Sequence, residues 1–102
     1  MQPTVAVFGI LRFPSDRVAD VWPHLRKLVE ATYQNDRCIA YDVAEDLFDP
    51  GLIRFSELWP NRESLARHLN APHIQPWRAV ACSHGLTERK FMAFDITGSW
   101  SV

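Results

Sequence analysis

The chain has 102 residues, with eleven basic side chains against twelve acidic ones and a formal net charge of −1. This balance leaves no basic face for nucleic-acid phosphates, and no apolar run approaches the roughly 20 residues that cross a bilayer. The first residues show no basic export signal, so we expect one cytosolic domain spanning residues 1–102, bound to neither nucleic acid nor membrane.

The first predicted elements are a strand and a long helix. Residues 5–13 form an apolar run rich in strand formers, and Pro14 ends it. Ser15 or Asp16 can then cap a helix, along which apolar side chains recur at helical spacing. Pro23 interrupts this pattern, so it either kinks the helix or marks the first turn of its regular part.

A hairpin is predicted after the helix. Residues 38–45 and 52–59 are strand-like segments, joined by an acidic turn that ends in Asp-Pro-Gly at 49–51. In a strand, every other residue points to the same side of the sheet. One side of the second strand therefore carries Ile53, Phe55, Glu57 and Trp59.

A broken helix and a final strand complete the chain. Asn61 is positioned as the N-cap of the second helix, and Pro72 must interrupt that helix because the residue before a proline avoids the helical region. A further helical piece is predicted from about residue 73 to 84, with Gly85 at its C-terminal cap. Residues 91–100 alternate between two faces and are predicted as the last strand.

The order of these elements predicts the fold class. Strand, helix, strand, strand, helix, strand is the ferredoxin-like split βαβ arrangement, an α+β fold with a four-stranded antiparallel sheet and its helices on one face. The chain is 47% apolar and includes four Trp and six Phe, a large amount for so small an interior. A homodimer that pairs two sheets face to face would bury the second apolar face.

Five side chains are predicted to surround one space between the sheet and the helices. Glu57 and Trp59 share the helix-facing side of their strand, while His68 and His73 flank the helix break. Trp77 lies one turn beyond His73 on the same face. Imidazoles titrate near neutral pH and can move a proton, and indoles suit a flat aromatic ligand.

Each of these residues also has a purely structural interpretation. The two Trp residues can be ordinary core or rim residues, and a His beside a helix break often bonds a backbone carbonyl. Glu57 can pair with Arg54, with Arg78 or with a helix end. Tyr41 can be a dimer-interface hydroxyl or a substrate contact.

Motifs for metals and cofactors are missing from the sequence. His68 and His73 are five residues apart across a proline, which is not the i, i+4 spacing of a zinc pair, so a site with Glu57 is not expected. No Gly-rich phosphate loop or Gly-x-Ser-x-Gly elbow occurs. We therefore predict no metal and no cofactor, with a flavin bound without a motif as the open alternative. Cys38 and Cys82 are expected as reduced thiols packed like small hydrophobes.

Three segments together resemble a known family. They are Cys-Ile-Ala-Tyr at 38–41, Phe-Ser-Glu-Leu-Trp at 55–59 and His-Leu-Asn-Ala-Pro-His at 68–73. Their spacing is similar to that of the antibiotic biosynthesis monooxygenase (ABM) domain, most of all its quinol-monooxygenase branch, and the resemblance covers about residues 4–97. It implies a dimeric α+β barrel in which two ferredoxin-like protomers face each other, with residues 91–100 forming much of the interface.

The resemblance also implies an activity. Some members oxygenate electron-rich phenols or quinols without flavin, haem or metal, because the substrate itself supplies the electrons. By this resemblance Trp59 would wall the pocket, His68 or His73 would be the base, and Tyr41 or Arg78 would hold an oxygen. The substrate-binding set is then Trp59, Phe55, Tyr41, Trp77, Arg78 and Glu57.

Two departures from the family narrow this expectation. Phe55 stands where the polyketide-modifying relatives have an Asn, so their anion-holding site is not reproduced. Gly9, His68 and Arg78 stand where the haem-degrading relatives have Asn, Trp and His, so haem degradation is not expected.

The sequence therefore predicts a cofactor-independent monooxygenase acting on a small phenolic, quinol or polycyclic aromatic substrate. Two alternatives remain open on the same fold, since a fold does not determine a function. One is a non-catalytic protein that binds an aromatic metabolite. The other is an isomerase or cyclase in which a His moves a proton without oxygen.

Overall fold

The computed structural model describes residues 2–102, so only Met1 of the predicted domain lies outside it. Four strands and three helices form the main architecture, in the order β1 Val5–Arg12, α1 Trp22–Asn35, β2 Ala40–Glu45, β3 Leu52–Trp59, α2 Arg62–Leu69, α3 Ile74–Ser83 and β4 Glu88–Asp95. A short 3₁₀ helix, Val18–Asp20, precedes α1. The predicted order of elements is confirmed, with the second helix in two pieces.

The four strands form one antiparallel sheet in the order β2-β3-β1-β4. In its centre Val5 lies opposite both Trp59 and Asp95. Alternate residues of β1 and β3 pack with α1 in a single buried core, which includes Val7, Leu25 and Leu28. The α+β ferredoxin-like prediction is confirmed, and the helices cover one face of the sheet.

The start of α1 differs from the prediction. Ser15 and Asp16 do not cap a helix; they lie in a turn, and α1 begins after Val21, which makes no side-chain capping bond. Pro23 occupies the first turn of α1, one of its two predicted places. A proline is tolerated there because the first helical N–H groups have no intrahelical acceptor, whereas deeper in a helix its ring clashes with an earlier carbonyl.

The break in the second helix follows the prediction. The Asn61 side chain accepts a hydrogen bond from the Ser64 backbone N–H at 2.8 Å, so the predicted N-cap is confirmed. The helix ends before Pro72, and α3 begins two residues after it. Gly85 follows the C-cap residue His84 of α3 and has a positive φ of 84°, the left-handed conformation that commonly ends a helix.

The last strand is confirmed with different bounds: β4 runs from Glu88 to Asp95, whereas residues 91–100 were predicted. Its ends are set by pairing with β1, because Glu88 lies opposite Arg12 and their side chains form an ion pair at 3.2 Å. Strand β2 also begins later than predicted, at Ala40. Pairing partners, which local residue patterns do not reveal, determine these boundaries.

Two further observations concern cysteines and membranes. Cys38 and Cys82 are both free, but only Cys38 packs against the core, whereas Cys82 is exposed and not packed as predicted. Burial raises the pKa of the Cys38 thiol. Among the described residues, no helix has the length and apolar character that a membrane crossing needs.

The face of the sheet opposite the helices exposes several large apolar side chains in the single chain. Phe8, Met92 and Phe94 are 55%, 63% and 51% exposed there, and the Phe8 and Phe94 rings lie 6.1 Å apart. Alternation along β1 and β4 places these side chains away from the core. We refer to this surface, formed by Phe8, Met92 and Phe94, as the free sheet face.

Candidate active site

A cavity of about 280 Å³ lies between the helix-facing side of the sheet and helices α1, α2 and α3. Six of the eight predicted site residues line it: Tyr41, Phe55, Glu57, His68, Trp77 and Arg78. Trp59 and His73 do not line it. The lining residues that sequence analysis missed include Leu65, Arg89 and Phe91. The volume is just below the usual range of small-molecule sites, about 300–1,000 Å³, which favours a compact ligand.

The aromatic wall of the cavity depends on a glycine in β1. Gly9 lies opposite Phe55 on one side and Phe91 on the other. A Cβ atom at Gly9 would come within 2.2 Å of the Phe91 ring, so only glycine lets this ring lie across the strand. The Phe91 and Phe55 rings then meet with centroids 5.2 Å apart, an edge-to-face contact typical of aromatic cores.

His68, in the last turn of α2, is the best-oriented titratable group of the cavity. Its side chain is buried, and Nδ1 lies 2.8 Å from Oδ2 of Asp36. Since an ionised carboxylate only accepts, the proton belongs on Nδ1 and the lone pair on Nε2. Nε2 has no partner among the described residues. No fully buried side-chain N or O atom of these residues lacks a hydrogen-bond partner, so Nε2 must be accessible. Since His68 lines the cavity, we infer that Nε2 faces it.

Aromatic rings and burial determine the electrostatics of His68. Its ring lies 4.9 Å from that of Trp59 and 5.3 Å from that of Tyr41, measured between centroids. Burial lowers the pKa of His68, and the neighbouring Asp36 carboxylate opposes this by favouring the imidazolium. His68 is therefore a neutral base at neutral pH, with a counter-charge ready for the protonated form.

His73, at the start of α3, contacts the same carboxylate from another side. Its Nε2 lies 2.6 Å from Oδ2 of Asp36. The His73 ring lines two grooves outside the cavity, one with Lys27 and Trp77 and one with Asn35. The two predicted histidines thus contact the same carboxylate. Only His68 lines the cavity, and His73 is connected to His68 through Asp36.

Glu57 carries the second titratable group of the cavity. Its Oε1 accepts a hydrogen bond from Nε1 of Trp59 at 2.9 Å. Burial raises the pKa of Glu57 to about 7, although the Trp59 hydrogen bond and the Arg89 charge act in the opposite direction. The carboxyl is therefore partly protonated at neutral pH and can give or take a proton.

Trp59 supports the cavity from behind. Its side chain is fully buried in the core, and its indole N–H holds the Glu57 carboxyl. The alternative partners predicted for Glu57 are engaged elsewhere. Arg54 pairs with Asp46 at 2.8 Å, and Arg78 donates to the Leu69 carbonyl at 3.2 Å.

Tyr41 and two arginines complete the polar lining. Tyr41 lies opposite Glu57 in the sheet register, and burial, followed by the Glu57 charge, raises the pKa of its hydroxyl. The hydroxyl therefore keeps its proton and can donate a hydrogen bond. Arg78 and Arg89 bring two positive charges to the lining, and the Arg89 guanidinium lies 4.6 Å above the Phe91 ring.

Asp36 is the residue of this site that sequence analysis missed. It ends α1, where the partial negative charge of the helix terminus disfavours an acid. A buried acid at that position needs hydrogen-bond donors. An acidic residue at the predicted end of a helix was therefore the feature from which sequence analysis could have found Asp36. Asp36, His68 and His73 bring three potential ligand atoms within 4.8 Å of one another. Their O–N distances of 2.8 and 2.6 Å are those of hydrogen bonds, since tetrahedral ligands on zinc stand about 3.3 Å apart.

Comparison with known families agrees with this architecture. The sequence model described as antibiotic biosynthesis monooxygenase matches residues 4–80, which is most of the chain. The chain belongs to the antibiotic biosynthesis monooxygenase family. A search of curated proteins finds no match.

Solved structures similar to this ABM-family protein carry the same fold. A Deinococcus radiodurans protein, provisionally assigned to the same family, is 26% identical, with a TM-score of 0.89 and coverage of 96% of this chain and 97% of that chain. A structure described as an antibiotic biosynthesis monooxygenase is 29% identical, with a TM-score of 0.83 and coverage of 92% and 99%. A Mycobacterium tuberculosis protein, 23% identical with a TM-score of 0.82 over 95% and 98% of the two chains, shows the fold alone.

Proposed function

We propose that this protein is a cofactor-independent monooxygenase of a small phenol or quinol. The observation that carries the proposal is the free Nε2 of His68, which opens onto an apolar, aromatic-walled cavity. A base at this position removes a phenolic proton while the aromatic walls orient the ring. Membership of the ABM family supports the same reaction class.

In the proposed reaction the substrate provides both electrons. His68 takes the hydroxyl proton, and the resulting ring anion adds dioxygen at a ring carbon. The proton returns to give a ring hydroperoxide, and loss of water from this hydroperoxide leaves a carbonyl. One oxygen atom thus enters the product and the other leaves as water, so no outside reductant is required.

The other cavity residues have supporting roles in this proposal. Tyr41 and Arg78 hold substrate oxygen atoms, because the Tyr41 hydroxyl keeps its proton and the Arg78 guanidinium offers several N–H donors. Glu57, with its pKa near 7, exchanges the proton that the departing water needs. Phe55 and Trp77 pack against the ring, and Trp59 orients Glu57 from behind.

The proposal includes a homodimer and a cytosolic location. The free sheet face exposes three large apolar side chains, and a second copy of the same face would cover them. The test is light scattering at micromolar concentration: the proposal expects twice the mass of one chain, and a monomer would contradict it.

The experiment that tests the activity is dioxygen consumption by metal-free protein with a panel of reduced quinols and anthrones. His68→Gln removes the base, and His84→Gln is the matched control because His84 lies outside the cavity lining. We expect uptake above the non-enzymatic rate with the wild type and the control, and its loss with His68→Gln. Uptake that is unchanged in His68→Gln would contradict the assignment of the base.

A proton-transferring isomerase is the second candidate, favoured by one observation. Glu57 and His68 line the same cavity, and together they form an acid and base that can act near neutral pH. This candidate predicts exchange of a substrate C–H proton with solvent under anaerobic conditions, without product oxygenation. Saturable quenching of Trp fluorescence without either reaction would point to a binding protein.

A further inference from the structure

We propose that Asp36 and His73 are positioning residues for His68. The Asp36 carboxylate sets the tautomer of His68, and His73 holds that carboxylate from the side away from the cavity. The inference deepens the proposed function, since it concerns how the base is prepared. The predicted proton position on the His68 imidazole can be tested whether or not the protein reacts with dioxygen.

The first argument is the sharing of one oxygen atom. Oδ2 of Asp36 lies 2.8 Å from Nδ1 of His68 and 2.6 Å from Nε2 of His73. A carboxylate only accepts hydrogen bonds, so each of these ring nitrogens carries a proton. His68 then has a single unprotonated nitrogen, Nε2, and that atom is the one open to the cavity.

The second argument concerns burial and charge. The Asp36 side chain is 6% exposed and lies where the end of α1 disfavours a negative charge. An isolated buried carboxylate is unfavourable, so the two imidazole donors are what makes this position tolerable. When His68 takes up a proton, Asp36 becomes the counter-ion of the imidazolium.

The third argument is that the helix break creates this geometry. In a continuous helix, residues five positions apart point about 140° away from each other. Pro72 separates α2 from α3, and both histidines can therefore turn toward the end of α1. The break thus joins three helices at one carboxylate.

The charged and titratable groups around His68 come from several elements. Asp36 and His73 are hydrogen-bonded in the cluster, and Arg78 from α3 lowers the pKa of His68. Tyr41 from β2 and Glu57 from β3 line the same cavity. Because Asp36 supplies the stabilising charge, its replacement by a neutral amide must lower the pKa of His68.

The test is the tautomer of His68, read from long-range proton–nitrogen correlation spectra across pH. The spectra compare the wild type with Asp36→Asn, Asp36→Glu and His73→Gln, and with His84→Gln as the control. We expect Nδ1–H in the wild type, the control and Asp36→Glu. Asp36→Asn should shift the population toward Nε2–H and lower the pH at which His68 titrates, and His73→Gln should produce a smaller change in the same direction.

Two outcomes would overturn the proposal. One is that His68 keeps Nδ1–H and its titration pH in Asp36→Asn. The other is that the wild type binds a stoichiometric metal through these nitrogens. If Asp36→Asn fails to fold, judged by circular dichroism, the shift toward Nε2–H is measured in His73→Gln, with Asp36→Glu as the variant expected to keep Nδ1–H, and no shift in His73→Gln then overturns the proposal.

The kinetic consequence distinguishes this inference from the proposed function. If the wild type consumes dioxygen, Asp36→Asn should lower turnover by at least about tenfold, with ligand affinity from Trp fluorescence changed less than about twofold. Turnover should increase with pH as His68 loses its proton, and in Asp36→Asn this increase should occur at lower pH than in the wild type. If the wild type consumes no dioxygen but the tautomer shift occurs, the positioning role stands and the oxygenase proposal fails.

Discussion

The two faces of the sheet are built from the same strands but have different properties. On the helix side, alternate residues of β3 provide Phe55 and Glu57 to the cavity, and the Glu57 carboxyl is hydrogen-bonded by Trp59. On the other side, Phe8 and Phe94 are about half exposed. Because alternate residues point to opposite faces, the cavity residues are separate from the proposed dimer interface. Each can therefore be altered without changing the other.

Removal of the base should have the largest effect, and only on the chemical face. His68→Gln is expected to reduce turnover by at least about 100-fold, the usual contribution of a general base. Mass in light scattering should stay that of the wild type. Loss of the dimer together with activity would contradict the separation of the two faces.

A charge on the free sheet face should affect the dimer and not the cavity. Phe94→Glu places two carboxylates in the proposed interface, since each chain of a symmetric dimer contributes one. We expect a shift from dimer to monomer, measured by sedimentation, with a far-ultraviolet circular dichroism spectrum like that of the wild type. Leu47→Glu is the control, because Leu47 is 86% exposed on the β2–β3 turn, outside the sheet.

The buried acid should make stability depend on pH. The pKa of Glu57 rises from its ordinary 4.5 to about 7 in the folded chain. A raised folded-state pKa favours folding below pH 4.5, and this contribution is lost as pH rises through 7. The unfolding free energy of the wild type should therefore fall relative to Glu57→Gln by up to about 3 kcal/mol between pH 4.5 and 8. Parallel curves in urea titrations would contradict the raised pKa.

The smallest expected effect comes from the glycine under the aromatic wall. A Cβ at Gly9 meets the Phe91 ring at 2.2 Å, whereas nothing lies within 4 Å of a Cβ at Gly98. Gly9→Ala should lower the unfolding free energy by about 1–3 kcal/mol through overpacking and weaken ligand binding in the cavity. Gly98→Ala should leave both unchanged, and equal effects at the two positions would show that Phe91 is not held by Gly9.

Local chemistry in the sequence was enough to predict several features. The Asn61 cap, the Pro72 break and the common side of Glu57 and Trp59 follow from side-chain type and strand alternation. These features depend only on residues near one another in the chain. The family resemblance of segments 38–41, 55–59 and 68–73 was confirmed by the family match over residues 4–80, which includes all three segments.

Features set by distant partners could not be predicted. Asp36 and His68 are 32 residues apart, and their hydrogen bond depends on how the ends of α1 and α2 meet. The polar start of β4 at Glu88 is set by Arg12 across the sheet. Trp59 was expected to line the pocket, but its side chain is buried in the core. The helix-facing side of the sheet includes both cavity and core, and only the packing of the helices determines where a given side chain lies.

The most direct test of the proposed function is isotope incorporation from labelled dioxygen. Metal- and flavin-free protein would be given a quinol or anthrone that it oxidises, under ¹⁸O₂ in ordinary water, and the product analysed by mass spectrometry. The proposal predicts one labelled oxygen atom per product, at a rate that falls in His68→Gln and is unchanged in His84→Gln. A product formed without label, or formed equally under argon, would contradict an oxygenase and leave proton transfer as the function of this cavity.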